Sequence, residues 1–522
     1  MKEKGILLPI FSLPSKYGIG DFGNEAYEFI DILCENNMSY WEILPINASN
    51  GLPYSPLSYY ALEEDYISLD KLKEHGLIEN ADIREIKDRA VYDDFKEKYY
   101  KEAFNKFRKN EEYEEFIKSE EINEYAEYAS NKKGESKEYY LFLQYILYKQ
   151  WMELKEDGLI EETEERKIKD RVIYDDFKEK FYEEAFRNFK KDKQYKEFIK
   201  TKEINEYAKF MSGQKGKSRE YYLFLQYILY KQWMELKQYA NSKNIKIIGD
   251  MPVYPTFNSV ETKCHPKCFE MKNGKFTFEA GTPPDYFNSD GQKWNSPVYN
   301  VENMKKDNYK YLVKRFKHHL KLFDKVRVDY FRGYDSFFKI PIGKSGKEGF
   351  YTDGVSYGFF DELFKDEDVK IENLIIEDLG DIREETVKLI KHYNFTRQKI
   401  LQFSLDLNNF YDKDNEEENV LVFPGNHDCQ TIYGWYKTLN DEYKERLKEF
   451  LRRNECYDIN VNIGIMQYCS KCKARIAIMT VQDILGLDDS ARINVPGVQM
   501  DENWSWKLID FNDFKERIKD FR

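Results

Sequence analysis

The chain has 522 residues, 41% of them hydrophobic and 16% aromatic, enough for a sizeable core and at odds with global disorder. Its net charge of −13 argues against a phosphate-backbone partner, because nucleic-acid binders carry a basic footprint; neutral and cationic ligands remain open. No stretch reaches the roughly 18 apolar residues of a membrane span, so no membrane partner is expected.

In chain order, the opening "MKEKGILLPIFSLPSKYG" has a basic start and a short apolar run. Pro9 interrupts that run and no small-residue cleavage site follows, so the expectation is a strand over 5–11 and not a secretion signal. A second β-rich run is "YWEILPI" at 40–46. A tandem repeat follows: "EYYLFLQYILYKQWMELK" occurs at 138–155 and again at 220–237, an offset of 82 residues. The same offset relates "DRAVYDDFKEKYYKEAF" to "DRVIYDDFKEKFYEEAF", so 73–154 and 155–236 are copies. Each reads as helices, with apolar residues at three- and four-residue spacing and no proline. In the last helix of the first copy, Leu141, Tyr145, Leu147, Tyr148 and Trp151 would line a buried stripe. Two copies are too few for a solenoid, and the reading is a duplicated helical insertion, with a protein-binding arm as the alternative.

Six more runs complete the pattern: "IKIIGDM" (245–251), "KVRVDYF" (325–331), "NLIIEDLG" (373–380), "KILQFSL" (399–405), "NVLVFPG" (419–425) and "RIAIMTV" (475–481). Eight strands, many followed by helical material, make the count of an α/β fold of the (β/α)8 TIM-barrel type. The organisation expected is 1–72 as the barrel's first two strands and active-site loops, 73–236 as the duplicated insertion, and 237–522 as the rest of the barrel.

Asp250, Asp329, Glu377 and Asp428 stand at the C-terminal sides of apolar runs, the ends that converge on the catalytic face of such a barrel. A lone acid there is more often a helix cap or salt-bridge partner; four together point to chemistry. Of these, only Asp428 has an adjacent histidine, His427, and no metal-ligand spacing is present. Cys264/Cys268 and Cys469/Cys472 form two short pairs about 200 residues apart, a poor zinc framework, and seven cysteines suggest a reducing, cytoplasmic setting. Carboxylates without a metal or a nucleophile triad suggest glycoside chemistry, in which one attacks the anomeric carbon and the other serves as acid and base. Arg327, two residues before Asp329, shares its strand face and would hold it ionised and aimed. The apolar "LII" before Glu377 favours a protonated acid there.

The chain resembles the 4-α-glucanotransferases, also called amylomaltases or disproportionating enzymes, of the α-amylase clan. The resemblance rests, in order, on "LPSKYGIGDFG" (13–23), "WEILPI" (41–46) with "PYSPLSYYA" (53–61), "GDMPVY" (249–254), "TPPDYFNSDGQKWNSPVY" (282–299), "VRVDYFRGY" (326–334), "IIEDLG" (375–380), "GNHDCQT" (425–431), "QDILGLDDSARINVPG" (482–497) and "NWSWKL" (503–508). It implies a retaining transfer of α-1,4-glucan segments between maltooligosaccharides, with no organic cofactor or metal. By position, Asp329 matches the nucleophile, Glu377 the acid/base and Asp428 the carboxylate that grips the sugar. Arg327, His427 and Asp250 match supporting residues. Tyr54 matches a ring beside the glucan, and Gln292 and Trp294 a loop that covers the donor and limits water. The aromatic stretches "PYSPLSYY" and "PPDYF" offer ring faces for glucose.

Tyr330 stands where the family usually has histidine, and Cys429 where it commonly has asparagine. Tyr330 could still donate to a sugar hydroxyl, whereas Cys429 bonds weakly. The helical excursion, single in the family, is doubled. Two other readings stay open: an amylase-like hydrolase, and a non-catalytic glucan-binding scaffold. A monomer is slightly favoured.

Overall fold

Strands buried on both faces must find neighbours on both edges, and here eight of them do so by closing on themselves. The computed structural model describes residues 2–16, 19–49, 51–74, 195, 198–215, 218–284, 289–380, 382–412, 417–456, 460–498, 500 and 502–521. Apart from Lys16, these belong to one compact unit over Met1–Ser15, Ile19–Asp82 and Ala185–Arg522.

The barrel strands are β1 (Glu3–Leu7), β2 (Tyr40–Glu42), β3 (Lys246–Met251), β4 (Lys325–Val328), β5 (Leu374–Ile376), β6 (Thr396–Ile400), β7 (Val420–Phe423) and β8 (Ile476–Thr480). Each pairs in parallel with its sequence neighbours, and β1 pairs with β8 to close the ring. All eight runs read from the sequence are present, most of them shorter than expected. The sixth is displaced: β6 starts at Thr396, and Leu401–Ser404, expected as strand, is a helical turn. The polar "TRQK" masks the start of this strand, because its side chains are satisfied by hydrogen bonds and ion pairs instead of apolar packing. Lys399 and Asp412 are both buried and paired, and Tyr468 also donates to Asp412 (2.8 Å).

Close approach dictates one glycine. A Cβ on Gly249 of β3 would stand 2.2 Å from the Phe323 ring, which packs on the strand immediately before β4 begins.

Beyond the strand ends, the excursions after β3 and β4 combine into a four-stranded antiparallel sheet. Its order is Phe350–Asp353, Ser336–Pro341, Phe278–Thr282, Gln292–Pro297. Among the described residues, Gln292–Pro297 is an edge strand with a single ladder neighbour.

The first repeat copy lies outside the described residues, except for Lys73 and Glu74 at its start. The last helix of the second copy, Arg219–Ser242, starts on a Ser218 cap that accepts from the Tyr221 N–H. The positions equivalent to the expected stripe are Leu223, Tyr227, Leu229, Tyr230 and Trp233; all but the half-buried Tyr230 are buried. Two buried glutamines on the same helix are satisfied by backbone. Gln226 both accepts from Leu62 N–H (2.7 Å) and donates to Leu62 C=O (2.9 Å), and Gln232 does the same for Ser68 (2.9 and 3.1 Å). Trp233 donates to Leu322 C=O (3.2 Å), with its ring between Phe22 and Phe323.

Truncating this tryptophan removes a fully buried indole and its hydrogen bond. Trp233→Ala is expected to cost about 3–5 kcal/mol, read as a lowered midpoint in equilibrium urea unfolding. A shift below about 1 kcal/mol would mean that the helix does not belong to the barrel's cooperative core.

Candidate active site

The alternation of "KVRV" turns Arg327 into the barrel, where register supplies its partners. Arg327 is level with Asp250 on β3 and with Ile375 on β5, two residues before Glu377. One guanidinium therefore meets acceptors from four consecutive strands. Nη1 donates to Asp250 Oδ2 (2.6 Å) and to Asp329 Oδ1 (3.2 Å). Nη2 lies 3.1 Å from Glu377 Oε2, and Nε donates to Gln398 Oε1 of β6 (3.1 Å). Arg327 was expected to serve Asp329; it also binds Glu377, so an ionic partner replaces the purely apolar surroundings expected for that acid.

Depth sorts the cluster into two tiers. The side chains of Arg327, Asp250 and His427 are 3%, 1% and 1% exposed, whereas Asp329 and Glu377 are each 20% exposed and Asp428 is 37% exposed. The acids that can touch a ligand are the three expected to, and the groups below them are fixed.

Tyr54 joins the lower tier through its hydroxyl. It donates to Asp250 Oδ2 (2.6 Å) and lies 2.8 Å from His427 Nε2. Its single hydroxyl hydrogen being used on Asp250, it accepts from His427, which puts the imidazole proton on Nε2. The Tyr54 ring stacks on His427 (5.4 Å, 15°) and packs against Trp504 (5.5 Å). It is a strut of the site as well as a ring at its wall.

Asp428 is held by Asn494 Nδ2 on Oδ1 (2.7 Å) and by His427 Nε2 near Oδ2 (3.4 Å), while Arg492 donates to its carbonyl (2.5 Å). Burial pushes its carboxyl up, but His427 and Asn494 outweigh burial and hold it well below the usual carboxylate range. Asp329 goes the other way: burial, then the charges of Glu377, Asp250 and Asp428, raise it against the pull of Arg327. Asp250 is raised too, by burial opposed by Arg327 and His427. A single arginine beside so many acids favours retention of a proton within the cluster.

Tyr330 and Trp294 meet edge to face (4.8 Å, 88°) beside Asp329, and Trp294 Nε1 lies 3.5 Å from Gln292 Oε1. Arg327 thus gathers Asp250, Asp329 and Glu377, the Tyr54 hydroxyl links Asp250 to His427 beside Asp428, and Tyr330 connects this cluster to Trp294 and Gln292. Cys429 turns inward: it is buried, and burial pushes its thiol up to about 12. In "PPDYF", the stretch Asp285–Phe287 lies outside the described residues.

Residues 8–138 and 161–511 match the model of the 4-alpha-glucanotransferase family, glycoside hydrolase family 77. The chain belongs to this family. It is 32% identical over 536 residues to the 4-alpha-glucanotransferase of Aquifex aeolicus, covering 99% of this chain and 98% of that one. It is 33% identical over 512 residues to that of Clostridium butyricum, covering 96% and 95%. The amylomaltase from Streptococcus agalactiae in complex with acarbose shares the fold, with a TM-score of 0.76 at 24% identity over 100% of this chain and 98% of that one. This 4-alpha-glucanotransferase-family chain is therefore an enzyme, and the non-catalytic scaffold reading falls. The family match is interrupted at 139–160, across the junction of the two repeat copies. Among the described residues no group of three or more His, Cys, Asp or Glu is placed to hold a metal, and no helix is long and apolar enough to cross a membrane.

Four site residues were not singled out from the sequence: Glu42, Gln398, Asn494 and Trp504. Asn494 and Trp504 lie in quoted motifs, "SARINVPG" and "NWSWKL", so a question about which polar groups face Asp428 could have found Asn494. Glu42 lies in the quoted "WEILPI" but nothing local marked its role, and Gln398 had no local signal. Glu42 ends β2 in register with Ile248, two residues before Asp250. It is 3% exposed, and burial, opposed by Arg327, raises its carboxyl from 4.5 to about 8.

That shift has a sign. Below pH 4.5 the folded and unfolded chains both carry the proton. Between pH 4.5 and about 8 the unfolded chain loses it while the folded chain keeps it, so stability falls as pH rises across this window. Glu42→Gln carries no such group. Its Tm relative to wild type is expected to climb steadily from pH 5 to pH 8, and a difference independent of pH would show that Glu42 does not titrate this way.

Proposed function

We propose that this enzyme moves α-1,4-glucan segments between maltooligosaccharides with retention of configuration. The observation that carries the reading is the shared guanidinium: Arg327 holds Asp329 and Glu377 side by side, with both reaching the mouth of the barrel. Asp329 attacks the anomeric carbon while Glu377 gives its proton to the departing glycosidic oxygen. The shortened glucan leaves, and the donor segment stays covalently on Asp329. Glu377, now a carboxylate, takes the proton of an acceptor hydroxyl, which attacks the anomeric carbon and frees Asp329. Two inversions leave the α configuration unchanged, and no cofactor enters the balance.

The remaining residues position. Asp428, kept ionised by His427 and Asn494, accepts hydrogen bonds from hydroxyls of the sugar at the cleavage point. Asp250 and Tyr54 lock Arg327 and His427 below it. Trp294 and Gln292 cover the donor, and the half-exposed Tyr330 lines the wall beside Asp329. Transfer over hydrolysis needs an oriented acceptor and a mouth that restricts water. All seven cysteines are free thiols, in keeping with a reducing compartment such as the cytoplasm.

Pure maltotriose is expected to yield glucose together with oligomers longer than itself. Glucose and maltose alone would assign hydrolysis instead. Asp329→Asn is expected to lower turnover by several orders of magnitude with the fold intact by circular dichroism, because the nucleophile is gone.

The barrel contacts of the insertion described above, through Gln226, Gln232 and Trp233, come from the second copy. Deleting residues 73–154 leaves that copy continuous with β3 and is expected to keep maltotriose disproportionation within about threefold of wild type. Loss of activity in a folded deletion protein would assign the first copy a part in catalysis.

A further inference from the structure

We propose that Tyr330 is a positioning residue that divides the glucosyl-enzyme between transfer and hydrolysis by clamping Trp294 over Asp329. The inference rests on the transfer reading above and adds to it the device that controls water.

The backbone makes the first argument. Tyr330 directly follows Asp329 and sits at φ 45°, a left-handed conformation that side chains with a Cβ rarely adopt. The turn is held by function-bearing groups: the Tyr330 N–H donates to Glu377 Oε2 (2.8 Å), so the residue next to the nucleophile is fastened to the acid/base. The kink swings the ring over Gly333, where a Cβ would stand 2.8 Å from Tyr330 Cδ1. From that slot the ring meets Trp294 at 4.8 Å and 88°, the edge-to-face geometry aromatic pairs prefer.

Trp294 needs such a hold. Its strand is the edge of the four-stranded sheet and, among the described residues, has a ladder partner on one side only. The contacts continue outward from Trp294. Its Nε1 faces Gln292 Oε1 (3.5 Å), and Gln292 packs on Gly497, where a Cβ would stand 3.3 Å from the Gln292 Cδ. Gly497 follows Asn494, the residue that binds Asp428. Tyr330, Trp294, Gln292 and Gly497 therefore form an arc from the nucleophile's neighbour to the segment that holds the third carboxylate. Released at its Tyr330 end, the arc loses its edge-to-face contact on Trp294 and keeps the more distant, tilted Tyr254 ring (6.5 Å, 40°) on that side. The covalent intermediate is then open to water while its carboxylates stay in place.

The test is the ratio of reducing ends gained (hydrolysis) to disproportionation products (transfer) from one pure maltooligosaccharide. The proteins are wild type, Tyr330→Phe, Tyr330→Ala, Trp294→Ala and the double Ala variant. Tyr330→Ala and Trp294→Ala are each expected to raise the ratio about tenfold. The double variant should rise no further than the larger single effect, because both changes remove one contact. Tyr330→Phe keeps the ring edge and should match wild type. Tyr330→Phe behaving like Ala, additive effects in the double variant, or equal loss of both reactions in a folded Tyr330→Ala each overturn the proposal. If Tyr330→Ala does not fold, Trp294→Ala and Tyr330→Phe still decide: a ratio unmoved in the first or raised in the second overturns it. A wild type that makes no transfer products overturns the catalytic reading itself, whereas intact transfer with an unmoved ratio overturns only the role of Tyr330.

Discussion

A buried guanidinium is tolerable only when its charge is answered, and the site is organised around answering that of Arg327. Its N–H groups are directed at Asp250, Asp329, Glu377 and Gln398, one from each of four consecutive strands or strand ends. The planar fork sets the angles at which these groups approach, so the two candidate catalytic carboxylates inherit their relative placement from one rigid plane. A lysine could supply the charge but not that geometry. The same arginine limits how strongly the acids repel one another: with it they crowd one mouth, and without it burial and mutual repulsion would drive several to take up protons.

The division into two tiers follows from that centre. Asp250, Tyr54 and His427 are bonded through the Tyr54 hydroxyl, and Asp250 also binds Arg327; Asp250 and His427 are buried and Tyr54 is half-buried. Asp329, Glu377 and Asp428 each keep exposed surface because the strand has ended beneath them and a loop carries them outward. Lateral contacts set the electrostatic character of the upper acids. Asp428, against His427 and Asn494, is held ionised; Asp329, by burial and then by the neighbouring carboxylates, is pushed toward its neutral form despite the pull of Arg327. Different neighbours give similar side chains different work.

The parts of this arrangement legible in the sequence were those that repeat locally. Apolar runs marked the eight strands, period-two alternation put Arg327 and Asp329 on one face, and acids closing the runs marked the mouth. What stayed hidden depends on register between strands. Glu42 is an ordinary glutamate in "YWEILPI" until β2 pairs with β3 and brings it beneath Asp250. Gln398 is an ordinary amide until β6 follows β5 around the ring, and the polar start of that strand concealed where it begins. Asn494 and Tyr54 were within recognisable motifs, but which atoms they bind is a tertiary fact: the Tyr54 hydroxyl is spent on Asp250 and His427.

The duplicated element is connected to this centre by a traceable path, which argues that at least its second copy is structural and not ornamental. Gln226 of that copy pairs both backbone groups of Leu62. Leu62 forms a β-bridge with Asn47, whose side chain donates to Tyr59 C=O (2.9 Å). Glu63, the next residue, accepts from Ser49 and Gly51 N–H groups (2.8 and 3.3 Å). These bonds close the 47–63 segment on itself, and Tyr54 is carried at its far side. A loop of this length with polar backbone needs such internal closure to present one side chain in one place. The helix thus braces the loop, the loop aims Tyr54, and Tyr54 holds Asp250 and His427 against Arg327 and Asp428. Duplication of a segment ending in this helix leaves the path intact as long as one copy runs directly into β3, which is where the second copy stands.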